Sequence, residues 1–311
     1  MHSLFESALD VLTTASAQDK AHKTRQYIAL WREGALSLEL EPDLESDLES
    51  DLAVSSEPRS EAPPPQRPVL PDRPARPSRP ELLAPTQMPK RAKAGSLRSK
   101  IALLHALAHI ELNAIDLAWD VMAREFELNG FALPRAFYDD WCKVADDEAK
   151  HFLMLDERLR ELGAEYGDLP AHDGLWEASE KTAQDFAARL AIVPMVLEAR
   201  GLDVTPNMIA AMLAQDDRKT ADILQIIHDD EITHVRAGTV WFEAWCAHNG
   251  LDVEAHWQDL VRHYFNGRLK RPFNHPSREE AGMLRDWYEP LADEDFSDTG
   301  WTKQAAQANE S

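Results

Sequence analysis

The chain has 311 residues, enough for one sizeable domain with extensions or for two average ones, and 44% of them are hydrophobic, enough for a substantial core. Its formal net charge of −22 argues against a general nucleic-acid binder, since attraction to phosphate needs a positive face. The two cysteines, Cys142 and Cys246, stand far apart and outside any C-x-x-C pattern, which fits thiols in a reducing cytoplasm better than a secreted disulfide framework.

Residues 1–20 carry no apolar stretch flanked by basic residues and no small-residue cleavage site. No uninterrupted apolar run approaches the length that spans a bilayer, so the expectation is a soluble cytoplasmic protein with no membrane partner. Residues 1–40 read as an N-terminal helical segment, with Phe5, Ala8, Leu9 and Leu12, then Tyr27, Ile28 and Trp31, at helical spacing and no proline. Residues 41–95 read as a linker in two halves. The acidic repeat from Asp43 to Leu52 has too little apolar surface to offset the entropy of ordering it. The stretch from Pro63 to Pro89 sets prolines among Arg67, Arg73, Arg76 and Arg79. It is either a disordered linker or an extended strap laid along the folded domain.

Residues 96–250 carry four long helical patterns with polar or glycine stops and no strand-like alternation. The first runs from Ser96 to Leu128 and closes at Asn129-Gly130, and the second opens at Pro134 and ends at Gly163. The third runs from Leu175 to Arg200 and ends at Gly201, and the fourth runs from Asp217 to His248 and ends at Asn249-Gly250. Together they predict an all-α bundle. Residues 251–292 mix aromatics with Arg262, Arg268, Lys270, Arg271, Arg278 and Arg285, as a loop-rich cover on one bundle end or a basic channel for an anionic substrate. Residues 293–311 read as a disordered tail.

One hexapeptide pattern occurs twice: Asp146-Asp147-Glu148-Ala149-Lys150-His151 on the second helix and Asp229-Asp230-Glu231-Ile232-Thr233-His234 on the fourth. Glu and His three residues apart share a helical face. On both helices that face is the apolar stripe: Trp141, Val144, Glu148, His151 and Leu155 on one, Leu224, Ile227, Glu231, His234, Gly238 and Trp241 on the other. A carboxylate buried there without a partner costs several kcal/mol, on the order of a full desolvation penalty, or is forced to protonate. Two such pairs at equivalent heights call for cations. The first helix places Glu111 alone among Ile101, Leu104, Ala108, Ile115 and Trp119, and the third offers Glu198, one turn after a kink expected at Pro194. The set Glu111, Glu148, His151, Glu198, Glu231 and His234 is the ligand pattern of a di-iron or di-manganese helical bundle. Asp203 is a weaker candidate, and His228, one turn before Glu231, is a spare ligand; His105 and His109 read as packing residues, as do Trp119, Trp141, Trp241 and Trp245.

The order Glu, E-x-x-H, Glu, E-x-x-H on four helices resembles the ferritin-like superfamily, which includes bacterioferritin, the ribonucleotide reductase small subunit and bacterial mono-oxygenases. More closely, the chain resembles a bacterial family labelled domain of unknown function 455. That similarity takes in the N-terminal segment, the Arg-Pro strap to Met88-Pro89-Lys90-Arg91, the motif from Glu111 to Leu117, and the tail motif Asp286-Trp287-Tyr288-Glu289-Pro290. The resemblance implies a ferritin-like four-helix bundle carrying a Pro/Arg-rich strap and a C-terminal loop-rich extension. It also implies a centre of two iron ions, with manganese as the other choice. In related oxygenases an aspartate beside the metal glutamate reaches the histidine of the opposite motif, which implies Asp147 for His234 and Asp230 for His151. The activity implied is that of an oxidase or hydroxylase using dioxygen on a small or RNA-borne substrate, with an electron donor and an oligomeric state the sequence leaves open. The alternative is an iron-oxidising, iron-handling protein with no organic substrate.

Overall fold

The computed structural model describes residues 3–38, 67–89, 93 and 95–294. The acidic repeat at 43–52 and the tail from 295 on lie outside the described residues. The N-terminal segment is two helices, α1 (Leu4–Thr13) and α2 (Ala17–Arg32). Ser3 opens α1 in a reciprocal cap with Glu6, and Ser16 starts α2 by accepting the Asp19 N–H at 3.3 Å.

Helix α3 (Leu97–Ala123) stops five residues before the predicted end at Leu128. Arg124 turns extended and folds its guanidinium back on Asp120 at 2.9 Å, while Phe126 leaves the helix to pack on Phe186. Helix α4 (Arg135–Glu161) follows Pro134. The third predicted helix is the one the structure redraws. It divides into α5 (Gly174–Lys181), α6 (Phe186–Ile192), a π-helical turn at Val193–Glu198, and α7 (Ala199–Leu213). The division falls where Asp185 accepts the Ala188 N–H at 2.9 Å and caps α6. Gly201 does not stop the run, because Leu202, Asp203 and Thr205 beyond it are buried and reward continuation. Pro194 lacks the N–H that a regular turn would use, and the chain there takes the wider π turn instead of a simple kink. Helix α8 (Arg218–Asn249) begins at the Asp217 cap and ends at Gly250 in the left-handed conformation. Three helices, α9 (Val253–Tyr264), α10 (His275–Glu280) and α11 (Arg285–Tyr288), occupy the region expected to be loop-rich, the first two capped by Asp252 and Asn274.

Regular structure among the described residues is helical, with two isolated bridges and no strand. Helix α3 packs along α4, α4 meets α8, and α7 with the π turn lies on α8; α1 and α2 cover α3 and α4. By length and composition α3 could cross a membrane, but 67% of its apolar window is buried inside the molecule, as in a core helix. Residues 67–89 lie along the helices. The Ala75 N–H donates to Leu12 O at 2.7 Å, Lys20 Nζ donates to Ala75 O at 3.0 Å, and Leu83 N–H donates to Ala171 O at 2.8 Å. An extended proline-rich chain has no internal hydrogen bonds, so its polar groups are satisfied by the body it crosses. At the other end, Arg278 from α10 grips Asp203 of α7 through two bonds of 2.7 and 2.8 Å. Arg262, Arg271 and Arg285 likewise pair with acids of the chain.

Candidate metal centre

Period-3.6 patterning brings Glu111 of α3, Glu148 and His151 of α4, and Glu231 and His234 of α8 to one buried point. Ligand atoms of Glu111, Glu148, His151 and Glu231 lie within 4.8 Å of one another, and this group could hold a metal ion. Glu111 and Glu148 are 2% and 1% exposed, and both histidines are fully buried. Each imidazole turns Nδ1 inward. His151 Nδ1 is 3.1 Å from Glu111 Oε2 and 3.8 Å from Glu148 Oε2. His234 Nδ1 is 2.9 Å from Glu148 Oε1 and 3.6 Å from Glu231 Oε2. Glu148 thus sits between the two rings, whose centroids are 5.8 Å apart.

The outward nitrogens meet aspartates of the opposite motif. His151 Nε2 is 2.9 Å from Asp230 Oδ2, and His234 Nε2 is 3.4 Å from Asp147 Oδ2. An imidazole donating through Nε2 keeps its Nδ1 lone pair for the cluster.

Charge is poorly balanced here. Burial pushes the carboxyls of Glu111, Glu198 and Glu231 up, and neighbouring carboxylates, Glu148 among them, push in the same direction. Burial acts the same way on Glu148, but its contacts with the two histidines outweigh that and hold its carboxyl below the ordinary range. Burial opposes charge on His151 and His234, yet the facing carboxylates overcome it and raise both imidazoles. Four glutamates thus face two histidines as the groups beside them able to carry positive charge. Both oxygens of Glu148, one oxygen each of Glu198 and Glu231, and His234 Nδ1 are buried without a well-aligned hydrogen bond among the described residues, the 2.9 Å approach of His234 Nδ1 to Glu148 Oε1 included. Carboxylate oxygens that converge in a buried space without well-aligned hydrogen bonds suit a bound cation.

Glu198, last residue of the π turn, is half-buried as a whole, but its Oε2 is fully enclosed, and its carboxyl feels Glu231, Glu148 and His234. It stands at the edge of the cluster rather than in the four-residue group. Asp203 does not approach the cluster; it is taken by Arg278 and by the Asn274 N–H at 2.9 Å. His228 Nε2 lies 3.5 Å from Ser277 Oγ. His105 accepts the Gly167 N–H at 2.9 Å, and His109 Nδ1 is 2.9 Å from the Tyr166 hydroxyl. Sequence reasoning passed over Lys143 and Lys150, whose ammonium groups lie 2.6 and 2.7 Å from Asp147. The signal available was Lys150 standing inside one copy of a repeated motif whose other copy has Thr233.

Residues 13–289 match the family described as a protein of unknown function, DUF455, and the chain belongs to that family. A protein of Haemophilus influenzae described as uncharacterized is 41% identical over 213 residues, which cover 66% of this chain and 73% of that protein. No solved structure matches.

Proposed function

We propose that in this member of the DUF455 family the buried cluster is a di-iron, or di-manganese, carboxylate centre. In this reading α3, α4, the run from α6 through α7, and α8 make a ferritin-like four-helix bundle, and the protein is an oxidoreductase that uses dioxygen to oxidise or hydroxylate a substrate. The observation that carries the reading is Glu148: fully buried, between two inward-facing imidazoles, with neither oxygen in a well-aligned hydrogen bond. A pair of redox-active ions with open positions would supply the electrons for oxygen activation. The chain does the rest. Glu148 and Glu231 would hold the ions together with His151 and His234, Glu111 beside His151 and Glu198 on the side of Glu231 and His234. Asp147 and Asp230 hold the rings so that Nδ1, not Nε2, faces inward. Glu198 is the one proposed ligand of intermediate burial, so a substrate, small or RNA-borne, would approach past it. The strap and the C-terminal cover, both fastened to the helices, suit an enzyme better than a compact cage-forming subunit.

The test is metal analysis of anaerobically purified protein followed by oxygen uptake. The expected result is about two iron or manganese ions per chain. A folded protein that takes up no stoichiometric metal after loading defeats the reading. Oxygen uptake strictly in proportion to added ferrous iron would replace the enzyme by an iron-handling protein.

A further inference from the structure

The outer side of the cluster carries a belt of charges that the repeated motif does not repeat. Lys150 Nζ donates to Asp147 Oδ1 and to Asp230 Oδ2, each at 2.7 Å. Asp230 in turn accepts from His151, and Asp147 faces His234. One ammonium group therefore closes the chain His151, Asp230, Lys150, Asp147, His234, which crosses from α4 to α8. The matching residue on α8 is Thr233, which has no charge and gives its hydroxyl hydrogen to Asp230 O within its own helix. Thr233 Oγ1 instead accepts from Lys143 Nζ at 2.9 Å, and Lys143 also donates to Asp147 Oδ2 at 2.6 Å. Both cations come from α4, and their reach differs: Lys143 touches one of the two aspartates, whereas Lys150 touches both.

We infer that Lys150 is a positioning residue that fixes both cluster histidines at once, by clamping Asp147 and Asp230 in one geometry. The inference rests on the metal-centre reading above. Without the clamp the two aspartates would repel each other, Asp230 would lose its lysine contact, and Asp147, left to Lys143 on one oxygen, would lose the contact that fixes its other oxygen. An imidazole that loses its outer acceptor loses both its fixed tautomer and its orientation. Lys143 cannot substitute, since it has no contact with Asp230 among those the structure shows. The clamp makes the two halves of the centre depend on one side chain. It also requires nothing of the core, because the Lys150 side chain is 30% exposed and its removal leaves no cavity in the apolar interior.

The experiment is a titration of the full chain with cobalt(II), whose visible absorption reports coordination, against a competing chelator. It is run on wild type, Lys150→Met, Lys150→Arg and Lys143→Met, with thermal unfolding of each metal-free chain alongside. Lys150→Met is expected to weaken both ions by about 10–100-fold, the range for loss of an outer partner of a metal-bound imidazole. Lys143→Met should weaken one ion and spare the other, and Lys150→Arg, which keeps the charge and two donors, should recover most of the loss. The metal-free melting temperature of Lys150→Met should fall only by the modest cost of losing a partly exposed ion pair, whereas a merely structural lysine would lower it and leave affinity for both ions unchanged. Wild-type affinity for both ions in Lys150→Met, weakening confined to one ion, or a loss matched by unfolding of the metal-free chain would each overturn the assignment. Absence of cobalt binding in wild type would instead overturn the centre itself, so the two failures are told apart.

Discussion

Buried acids occur in this protein in two settings, and the contrast between them is what points to metal. Along the strap, α6 and the cover, each has a protein cation. Asp116 lies against Lys20 at 2.5 Å and against Arg76, Asp120 against Arg189 and Arg124, and Asp203 against Arg278 at 2.7 Å. At the centre of the helices Glu111, Glu148, Glu198 and Glu231 face two histidines, and none of the four pairs with a lysine or arginine among the described residues. The same backbone thus satisfies a buried acid with guanidinium or ammonium wherever it needs only stability. Lone pairs left facing one another indicate a partner that is not an amino acid.

Breaking one acid of each kind sharpens the comparison. The largest effect on stability is expected from Arg278→Met, which leaves Asp203 buried and uncompensated and also removes the guanidinium packed 4.6 Å from the Tyr288 ring centre. Breaking a buried pair in this way costs about 3–5 kcal/mol. Chemical denaturation should report that loss while metal stoichiometry stays at the wild-type value. Glu148→Gln and Glu231→Gln should behave in the opposite way. Metal affinity should fall by more than the roughly 100-fold reached by changes outside the ligand set. Metal-free Glu231→Gln should be as stable as wild type or more so, because burial and Glu148 already oppose its charge, whereas metal-free Glu148→Gln loses a charge that its two histidines favour. If Glu148→Gln and Glu231→Gln bound iron normally, the distinction between the two kinds of buried acid would collapse.

The central set was legible because a glutamate or histidine inside a period-3.6 apolar stripe is conspicuous, and the stripes on α4 and α8 are long and uninterrupted. The caps at Asp217 and Gly250 likewise declare themselves, since each uses a residue type with a specific backbone duty. What the sequence did not show is set by contacts between distant segments. Nothing local in Ala199–Leu213 says that the chain continues through Gly201; the burial of Leu202 and Asp203 against other elements decides it. Nothing local in the strap says that Arg76 reaches Asp116 and Asn113, because those partners are 40 and 37 residues away. The π turn is a case of both. Pro194 announces an irregularity, but its form depends on Gly238 of α8, where an added Cβ would fall 2.5 Å from Pro194 Cγ. A proline ring cannot swing aside, so Gly238→Ala should displace the turn that carries Glu198. The expected cost is about 1–3 kcal/mol in thermal or chemical unfolding, accompanied by reduced occupancy of the ion nearest Glu198. Unchanged stability and full occupancy would show that the turn is held by something else.

The smallest effect concerns a buried polar group that is satisfied without any charge, and it separates such groups from both kinds of acid. His105 is 1% exposed, and its Nε2 accepts N–H groups from Gly167 at 2.9 Å and Leu169 at 3.4 Å. Only the neutral ring has a lone pair to offer there. Burial pushes its pKa down, against a weaker opposing pull from Asp168. The unfolded chain protonates this histidine near pH 6.5, whereas the folded chain does so only at lower pH. Below about pH 6.5 the unfolded state therefore binds a proton that the native state does not, so the contribution of a neutral His105 is complete above that pH and is lost as pH falls toward the folded value. His105→Gln offers an acceptor oxygen that does not titrate. The stability advantage of wild type over the variant should accordingly shrink between pH 7 and pH 5, by at most about 1.4 kcal/mol per pH unit. Denaturation of both metal-free proteins at several pH values measures this directly, and removing the metal keeps acid release of the ion out of the comparison. A difference that stays constant across the range would mean that the folded protein protonates His105 as readily as the unfolded chain does, and that the Gly167 contact does not hold the ring neutral.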